Sequence, residues 1–448
     1  VRKAFGLASA GIAAPIRAYL AKGALWALLF QLAASGLTLL GSMMIAWVGG
    51  KQQFGAYSIV FNWVNVLCIP ALFGLNDLLM RELPALRARQ EWNGARQLVR
   101  FAWASAAVAT LVVITVFWTG VRMFGWFGLG AYGGLFDLAL LAVPLLVFTH
   151  LGQAVFLGTQ QIAKGQAAEK LVKPGVFVLL LGGVWGWGIA VDEPLLISLQ
   201  VVSFLPGTLS LAWLLWRLYR TLPKAGAEGG PLPQKRWLAT GFFFLLAAGV
   251  QVLSTRVDGL FLGYFFADRP ELVGFYGVAA RFSELLLLPF VVLNTVTAPL
   301  YAQLYAEKNW AQMQSVYTRT TRILFAVGLV ATAVALLLGP TAMGWFGKDF
   351  TEGYRAFCWL AFGQLCYFFT GTAGQVLLMT GQERLAIGLQ GGALLLSMLG
   401  QWLLIPLWGI DGAAMATALG FAAHCVLLSI YVPRRLGLRV GIWANSRQ

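Results

Sequence analysis

Twelve apolar segments alternate with short polar breaks along the chain, at residues 24–48, 55–76, 99–121, 134–158, 172–190, 195–216, 238–266, 272–300, 319–339, 354–379, 385–407 and 411–433. Each is close to the roughly 20 residues that a helix rising about 1.5 Å per residue needs to cross hydrocarbon. The pattern predicts an all-α polytopic membrane protein of about 12 transmembrane helices. The basic residues set its orientation. With the N-terminus inside, twenty-five Lys and Arg fall on inner segments, and only Lys51, Arg122, Arg269, Lys348 and Arg355 fall on outer ones. That asymmetry follows the positive-inside rule and predicts cytoplasmic N- and C-termini in a multi-pass inner-membrane protein.

Between the sixth and seventh spans lies the longest hydrophilic insert, Thr221 to Arg236, rich in Gly, Pro and charge. It reads as a cytoplasmic linker. It divides the chain into an N-terminal lobe (1–223) and a C-terminal lobe (224–448). The halves echo one another. Phe54-Gly-Ala-Tyr57 returns as Val273-Gly-Phe-Tyr276, Gly152-Gln153 as Gly374-Gln375, and Gln160 as Gln382. Six spans per half is an even number, so the repeats share one orientation. The expectation is two pseudo-repeat lobes around a central cavity, an arrangement suited to alternating access.

Polar positions inside the apolar segments carry the candidate chemistry. The seventh span contains Arg256 and Asp258, and the eighth contains Arg281 and Glu284. Counting from the turn Ala267-Asp-Arg-Pro-Glu271, both pairs lie roughly 10–15 Å below the outer surface. A lone charge at mid-bilayer costs about 2.5–3.5 kcal/mol on insertion scales, so these four side chains must face protein or water. Arg281 and Glu284 are three residues apart and share a helix face. Arg256 and Asp258 are two apart and do not, so each needs a partner elsewhere, with Glu284 and Arg281 the natural choices. Two readings stand: a ligand or gating site, or a neutralised network that locks helices together.

Composition agrees with the membrane assignment: 59% hydrophobic, 11% charged and mean hydropathy +0.76, where soluble domains carry about 25% charged residues. The net charge of +15 points to the anionic inner leaflet rather than to nucleic acid. Cys68, Cys358, Cys366 and Cys425 all lie in apolar segments without metal-ligand spacing, so neither disulfide framework nor zinc site is expected. No phosphate-binding loop is present, so no ATP hydrolysis is expected. The opening residues, with Arg2, Lys3, Arg17 and Lys22, read as a surface helix ahead of the first span rather than a cleaved leader.

Several motifs together carry a family resemblance. They are Arg256-Val-Asp-Gly-Leu-Phe-Leu-Gly263, Val273-Gly-Phe-Tyr-Gly277, Arg281 to Glu284, and Pro289. Phe54-Gly-Ala-Tyr57 through Gly74-Leu75 to Arg81-Glu82 joins them, as do Thr380-Gly-Gln-Glu-Arg384 and Gly409-Ile-Asp-Gly-Ala-Ala414. In order and spacing the chain resembles the polysaccharide (O-antigen and exopolysaccharide, Wzx-type) flippases of the multidrug/oligosaccharidyl-lipid/polysaccharide exporter superfamily. The resemblance implies movement of undecaprenyl-diphosphate-linked oligosaccharide from the cytoplasmic to the periplasmic leaflet of a bacterial inner membrane. It implies no cofactor beyond H⁺ or Na⁺ coupling. It adds polysaccharide polymerase and chain-length machinery as partners. Arg256 and Arg281 would then hold the diphosphate, whose oxygens suit the planar guanidinium fork.

Weaker candidates are Asp137 at the outer mouth of the fourth span, His150 and His424 within spans, and Asn62 with Asn65 in the second. Each has an ordinary use as well: an interfacial acid, packed histidines, and helix-to-helix amide bonds. Two alternatives to the flippase remain. A cation-coupled multidrug antiporter wants acids to dominate its cavity, whereas arginines here match them. A membrane-embedded polymerase or ligase wants a large outer loop, which is absent. A lipid II flippase would carry a basic cluster in its first span, and none is seen.

Overall fold

The computed structural model describes the backbone of residues 14–159, 161–221 and 234–442, and their side chains apart from 14–30, 162–164, 221, 234, 295 and 296. The surface helix expected at the N-terminus, most of the linker 221–236, Gln160 and Arg447 lie outside the described residues, as do the side chains of Arg17 and Lys22. Everything regular among the described residues is helical.

All twelve apolar segments are found as helix. Among the described residues, seven helical stretches are long and apolar enough to cross a membrane, or eight with the bent pair Trp126–Ala139 and Ala142–Gly158. Two of the seven each hold two spans, because a glycine in a conformation closed to other residues turns the helix. Gly50 (φ 81°) separates α1 (14–49) from α2 (51–72). Gly409 (φ 59°, ψ −133°) separates α16 (383–408) from α17 (410–436). The second turn is a tight hairpin: Gln401 Nε2 donates to Thr417 Oγ1 at 3.0 Å, and Gly420 lies against Ser397. No side chain other than hydrogen tolerates such backbone angles cheaply.

Between these hairpins come α3 (Leu75–Ala88), α4 (Trp92–Phe124), α5 (Gly133–Ala139), α6 (Ala142–Gly158) and α7 (Ile162–Ala167). A π-helical turn, Ala168–Val172, leads into α8 (Lys173–Gly186), followed by α9 (Glu193–Thr221), α10 (Gln234–Phe265) and α11 (Pro270–Leu286). Next are α12 (Leu288–Ala306), α13 (Trp310–Gly344), α14 (Tyr354–Thr370) and α15 (Ala373–Met379). The fourth, eighth and tenth spans are therefore broken. Their breaks coincide with Pro144, Pro289 and the positive-φ Gly371, residues that remove a backbone donor or reverse the chain.

Two compact units emerge. One comprises Ala33–Val278 with Gly344–Thr351, and the other Ala279–Met343 with Glu352–Gln448 and the first residues of the chain. In the first, α2 runs against α10 through small residues: Gly241 meets Phe73, Gly249 meets Ile69, and Gly263 meets Ile59. The repeat motifs touch directly. A Cβ on Gly55 would sit 1.8 Å from the Pro270 carbonyl oxygen, and one on Gly274 3.1 Å from that of Lys51. Backbones this close are what small residues permit in membrane helix packing. The 344–351 segment joins the same unit through Lys51 to Asp349 (2.7 Å) and through Phe350, whose ring meets Phe54 and Phe275 edge-on at 5.6 Å each.

In the second unit, a buried cluster of Tyr301, Met313, Tyr317, Val376, Leu377 and Leu428 binds α12, α13, α15 and α17. The tail straps this cluster shut: Leu438 inserts into it, and Gln314 exchanges hydrogen bonds with both backbone groups of Arg439 (2.8 and 3.0 Å).

Candidate functional site

On α10, Gln251, Ser254, Thr255 and Asp258 recur at i, i+3, i+4 and i+7, which places them on one helical face. Gln251 and Thr255 are exposed; Ser254 and Asp258 are half-buried. Such a row in an apolar membrane helix is stable only beside water or polar groups. Asp258 ends the row. Its carboxylate accepts hydrogen bonds from the Tyr276 hydroxyl of α11 and from the Gly259 amide (2.8 Å). Asn62 of α2 reaches the same level, its Nδ2 lying 2.1 Å from where a Cβ on Gly259 would stand. The glycine after Asp258 thus makes room for the amide. Tyr276 meets Asp258 from α11, while Asn62 packs from α2 against the neighbouring Gly259.

Further along α11, Arg281 Nη1 lies 3.3 Å from Glu284 Oε2, the i,i+3 pairing expected from their spacing. Their side chains are 29% and 46% exposed. Neither is walled into an apolar core. Beside them on the same helix, Ser283 is buried and accepts from Gln364 Nε2 of α14 at 3.3 Å. Arg256 is half-buried on α10 and also engaged in an interaction of its own. Helical geometry turns it about 160° away from Asp258.

The weaker candidates separate. Asn65 is exposed, and its amide bonds back to the Phe61 carbonyl at 2.7 Å rather than to another helix. Asp137 is held by Trp118 Nε1 (2.9 Å) and by Arg122. His424 is buried and stacked on Tyr367, with ring centroids 5.9 Å apart. His150 Nδ1 lies 3.8 Å from Glu169 Oε1.

That last contact exposes something sequence reasoning missed. Lys173 reads as an inner-loop topology charge, yet it is only 8% exposed, with its ammonium 4.9 Å from the centre of the Phe204 ring. Gly207 leaves room for its stem, which would stand 2.9 Å from an added Cβ. The π-helical turn Ala168–Val172 feeds Glu169 and Lys173 inward from successive turns, and such turns gather at functional sites. The available signal was Glu169, an acid set among inner-segment lysines. Just outside the span, burial pulls the Lys170 ammonium down from its usual range, opposed by Glu169.

The chain matches the polysaccharide biosynthesis protein family over residues 20–305, well over half its length. It belongs to that family. A second family, MatE, matches residues 245–403, which covers the polar row on α10 and the Arg281–Glu284 pair. Family membership places the chain in the polysaccharide flippase branch of the multidrug/oligosaccharidyl-lipid/polysaccharide exporter superfamily, among transporters rather than enzymes. The probable low-salt glycan biosynthesis flippase Agl15 of Haloferax volcanii is 23% identical over 416 residues, 92% of this chain and 83% of that protein. An inward-facing multidrug resistance MATE family transporter superposes with a TM-score of 0.75, at 13% identity over 90% of this chain and 94% of its own. Lipid II flippase MurJ, in an inward closed conformation, superposes with a TM-score of 0.71 at 13% identity, over 90% and 87%. At those identities the two structures speak for the fold alone.

Tyr276→Phe isolates one contact of this family member's polar cluster. Tyr276 is 2% exposed, and the ring is kept, so only the donor to Asp258 is lost. Thermal unfolding in detergent should show a loss of about 1–2 kcal/mol, and Asp258→Asn should cost less in the Tyr276→Phe background than alone. Additive losses would mean that the hydroxyl and the carboxylate contribute separately.

Proposed function

We propose that the protein carries undecaprenyl-diphosphate-linked oligosaccharide from the inner to the outer leaflet of a bacterial inner membrane, by alternating access of two six-span lobes, 1–223 and 224–448. Both termini are cytoplasmic in this reading. The observation that carries it is the polar row on α10 that ends at Asp258, whose carboxylate the Tyr276 hydroxyl bonds, with Asn62 packed against the next residue, Gly259. Amides, hydroxyls and a carboxylate suit sugar hydroxyls; arginines suit the diphosphate, which crosses a low-dielectric region only with cations beside it. Family membership and the glycan flippase relative support the same substrate class. Of the two coupling ions, H⁺ suits the His150–Glu169–Lys173 cluster, where one acid and two bases meet in partly dry surroundings, whereas Na⁺ would want several oxygen ligands.

The test is reconstitution in liposomes with a lipid-linked oligosaccharide bearing a fluorescent sugar label, followed by quenching from outside. Protein-dependent loss of protected label is expected. Absence of transfer, together with uptake of an organic cation driven by a pH gradient, would replace the flippase with the multidrug antiporter that the MatE match also admits.

A further inference from the structure

The fourth span is bent by 54° between Trp126–Ala139 and Ala142–Gly158. The bend opens a cavity of about 270 Å³ against α4, lined by Ile114, Trp118, Asp137, Leu140, Leu141 and Pro144. Five of those six are apolar. Leu141 is 58% exposed, and α4 shows Val108, Leu111, Val112 and Val116 on its outside. A helix face so uniformly apolar and open faces hydrocarbon, so the groove is a feature of the lipid-facing wall and not of the polar cluster above.

An apolar cavity of only about 150 Å³ stays dry and accepts a hydrocarbon guest. In a bilayer the hydrocarbon at hand is a lipid chain. The groove's polar end specifies the rest of that lipid. Trp118 and Arg122, one turn apart on α4, both bond Asp137, the first through Nε1 to Oδ1 at 2.9 Å and the second to Oδ2. Arg122 and Asp137 remain 44% and 38% exposed. Each carboxylate oxygen keeps a free lone pair, and the guanidinium keeps N–H groups beyond those that reach Asp137. The rim therefore offers one anion-binding and one cation-binding group side by side, with a tryptophan of the kind that sits at the headgroup level.

We propose that this groove is a binding site for one phospholipid with a primary-ammonium headgroup, its acyl chain in the bend, its phosphate on Arg122 and its ammonium on Asp137. A trimethylated headgroup has no N–H to give Asp137, and an anionic headgroup leaves the carboxylate unmatched. The site is independent of the transported substrate.

The experiment is native mass spectrometry of the full chain, released from nanodiscs holding equal parts phosphatidylethanolamine, phosphatidylglycerol and phosphatidylcholine. One retained phosphatidylethanolamine per chain is expected, favoured about tenfold over each competitor, the worth of one charge-assisted contact of roughly 1.4 kcal/mol. Leu141→Trp, at an exposed position that tolerates bulk, should fill the groove and abolish retention. Asp137→Asn should keep a lipid bound and erase the headgroup preference. Equal retention of all three lipids by the unmodified chain, retention unchanged by Leu141→Trp, or no lipid retained at all would each overturn the assignment. Should Leu141→Trp not accumulate, Ile114→Phe fills the same groove from α4 and is read in the same way.

Discussion

Arg281→Ala is expected to lower polysaccharide export by roughly 10–100-fold, the worth of one or two charge-assisted contacts to phosphate, while the protein persists in the membrane at its normal level. The two outcomes separate because of exposure. With Arg281 and Glu284 29% and 46% exposed, the pair is not a buried one, and the folding cost of removing the arginine is expected to stay near the range of about 0–1 kcal/mol for accessible ion pairs. The diphosphate of the proposed substrate would lose a cation that nothing replaces. The double variant Arg281→Ala with Glu284→Ala decides between the two uses of the pair. If the pair is only structural, removing both partners should restore much of what removing one destroyed, since no unmatched charge remains. If Arg281 binds substrate, the double variant stays as defective as the single. Arg281→Lys adds a geometric test: it keeps the charge and loses the planar fork, so a site relying on paired N–H groups should fall well below the unmodified protein. Surface polysaccharide in a deletion strain, alongside membrane immunoblotting, reads all three. Arg256→Ala is expected to behave in the same direction.

Gly55→Val should be the most damaging single change to folding. The added Cβ would fall 1.8 Å from the Pro270 carbonyl oxygen, 2.3 Å from its carbon and 3.0 Å from the Glu271 nitrogen. All three are main-chain atoms, so no side chain can swing aside. The helices must part by roughly 1.5–2 Å to regain ordinary contact. Overpacking of this kind costs about 1–3 kcal/mol or more, and here it also unseats Gly274, Phe54 and Phe350 from their shared contact. Thermal unfolding in detergent should drop by several degrees, and yield should fall with it. Gly183→Val, where an added Cβ meets nothing within 4 Å, is the matched control and should leave both unchanged. An unaltered melting profile for Gly55→Val would mean that the repeat motifs do not meet as described.

These two positions mark how differently the site and the fold were written in the sequence. The Arg281–Glu284 pair was legible from its spacing alone, since three residues is a property of one helix. Asp258 was legible as a charge in need of company, but not its partners. Tyr276 stands 18 residues away, and nothing in a hydropathy pattern says which aromatic turns toward it. Lys173 was misread for the same reason. It sits at the inner end of an apolar segment, where a topology charge belongs, and only the tight helix contact at Gly207 draws it inside. The break at Leu140–Leu141, which makes the lipid-facing groove, lies within a run that reads as one uninterrupted span.

The sequence by itself determined the class of protein and its twelve helical segments. Those follow from a local demand: every backbone group inside hydrocarbon must be satisfied within its own helix, and each segment's length and apolarity record that directly. Only the tertiary structure decided where helices turn back at Gly50 and Gly409, which glycines let backbones touch, and which polar side chains pair. Those depend on contacts between segments hundreds of residues apart, made by van der Waals fit and single hydrogen bonds that leave no periodic trace along the chain.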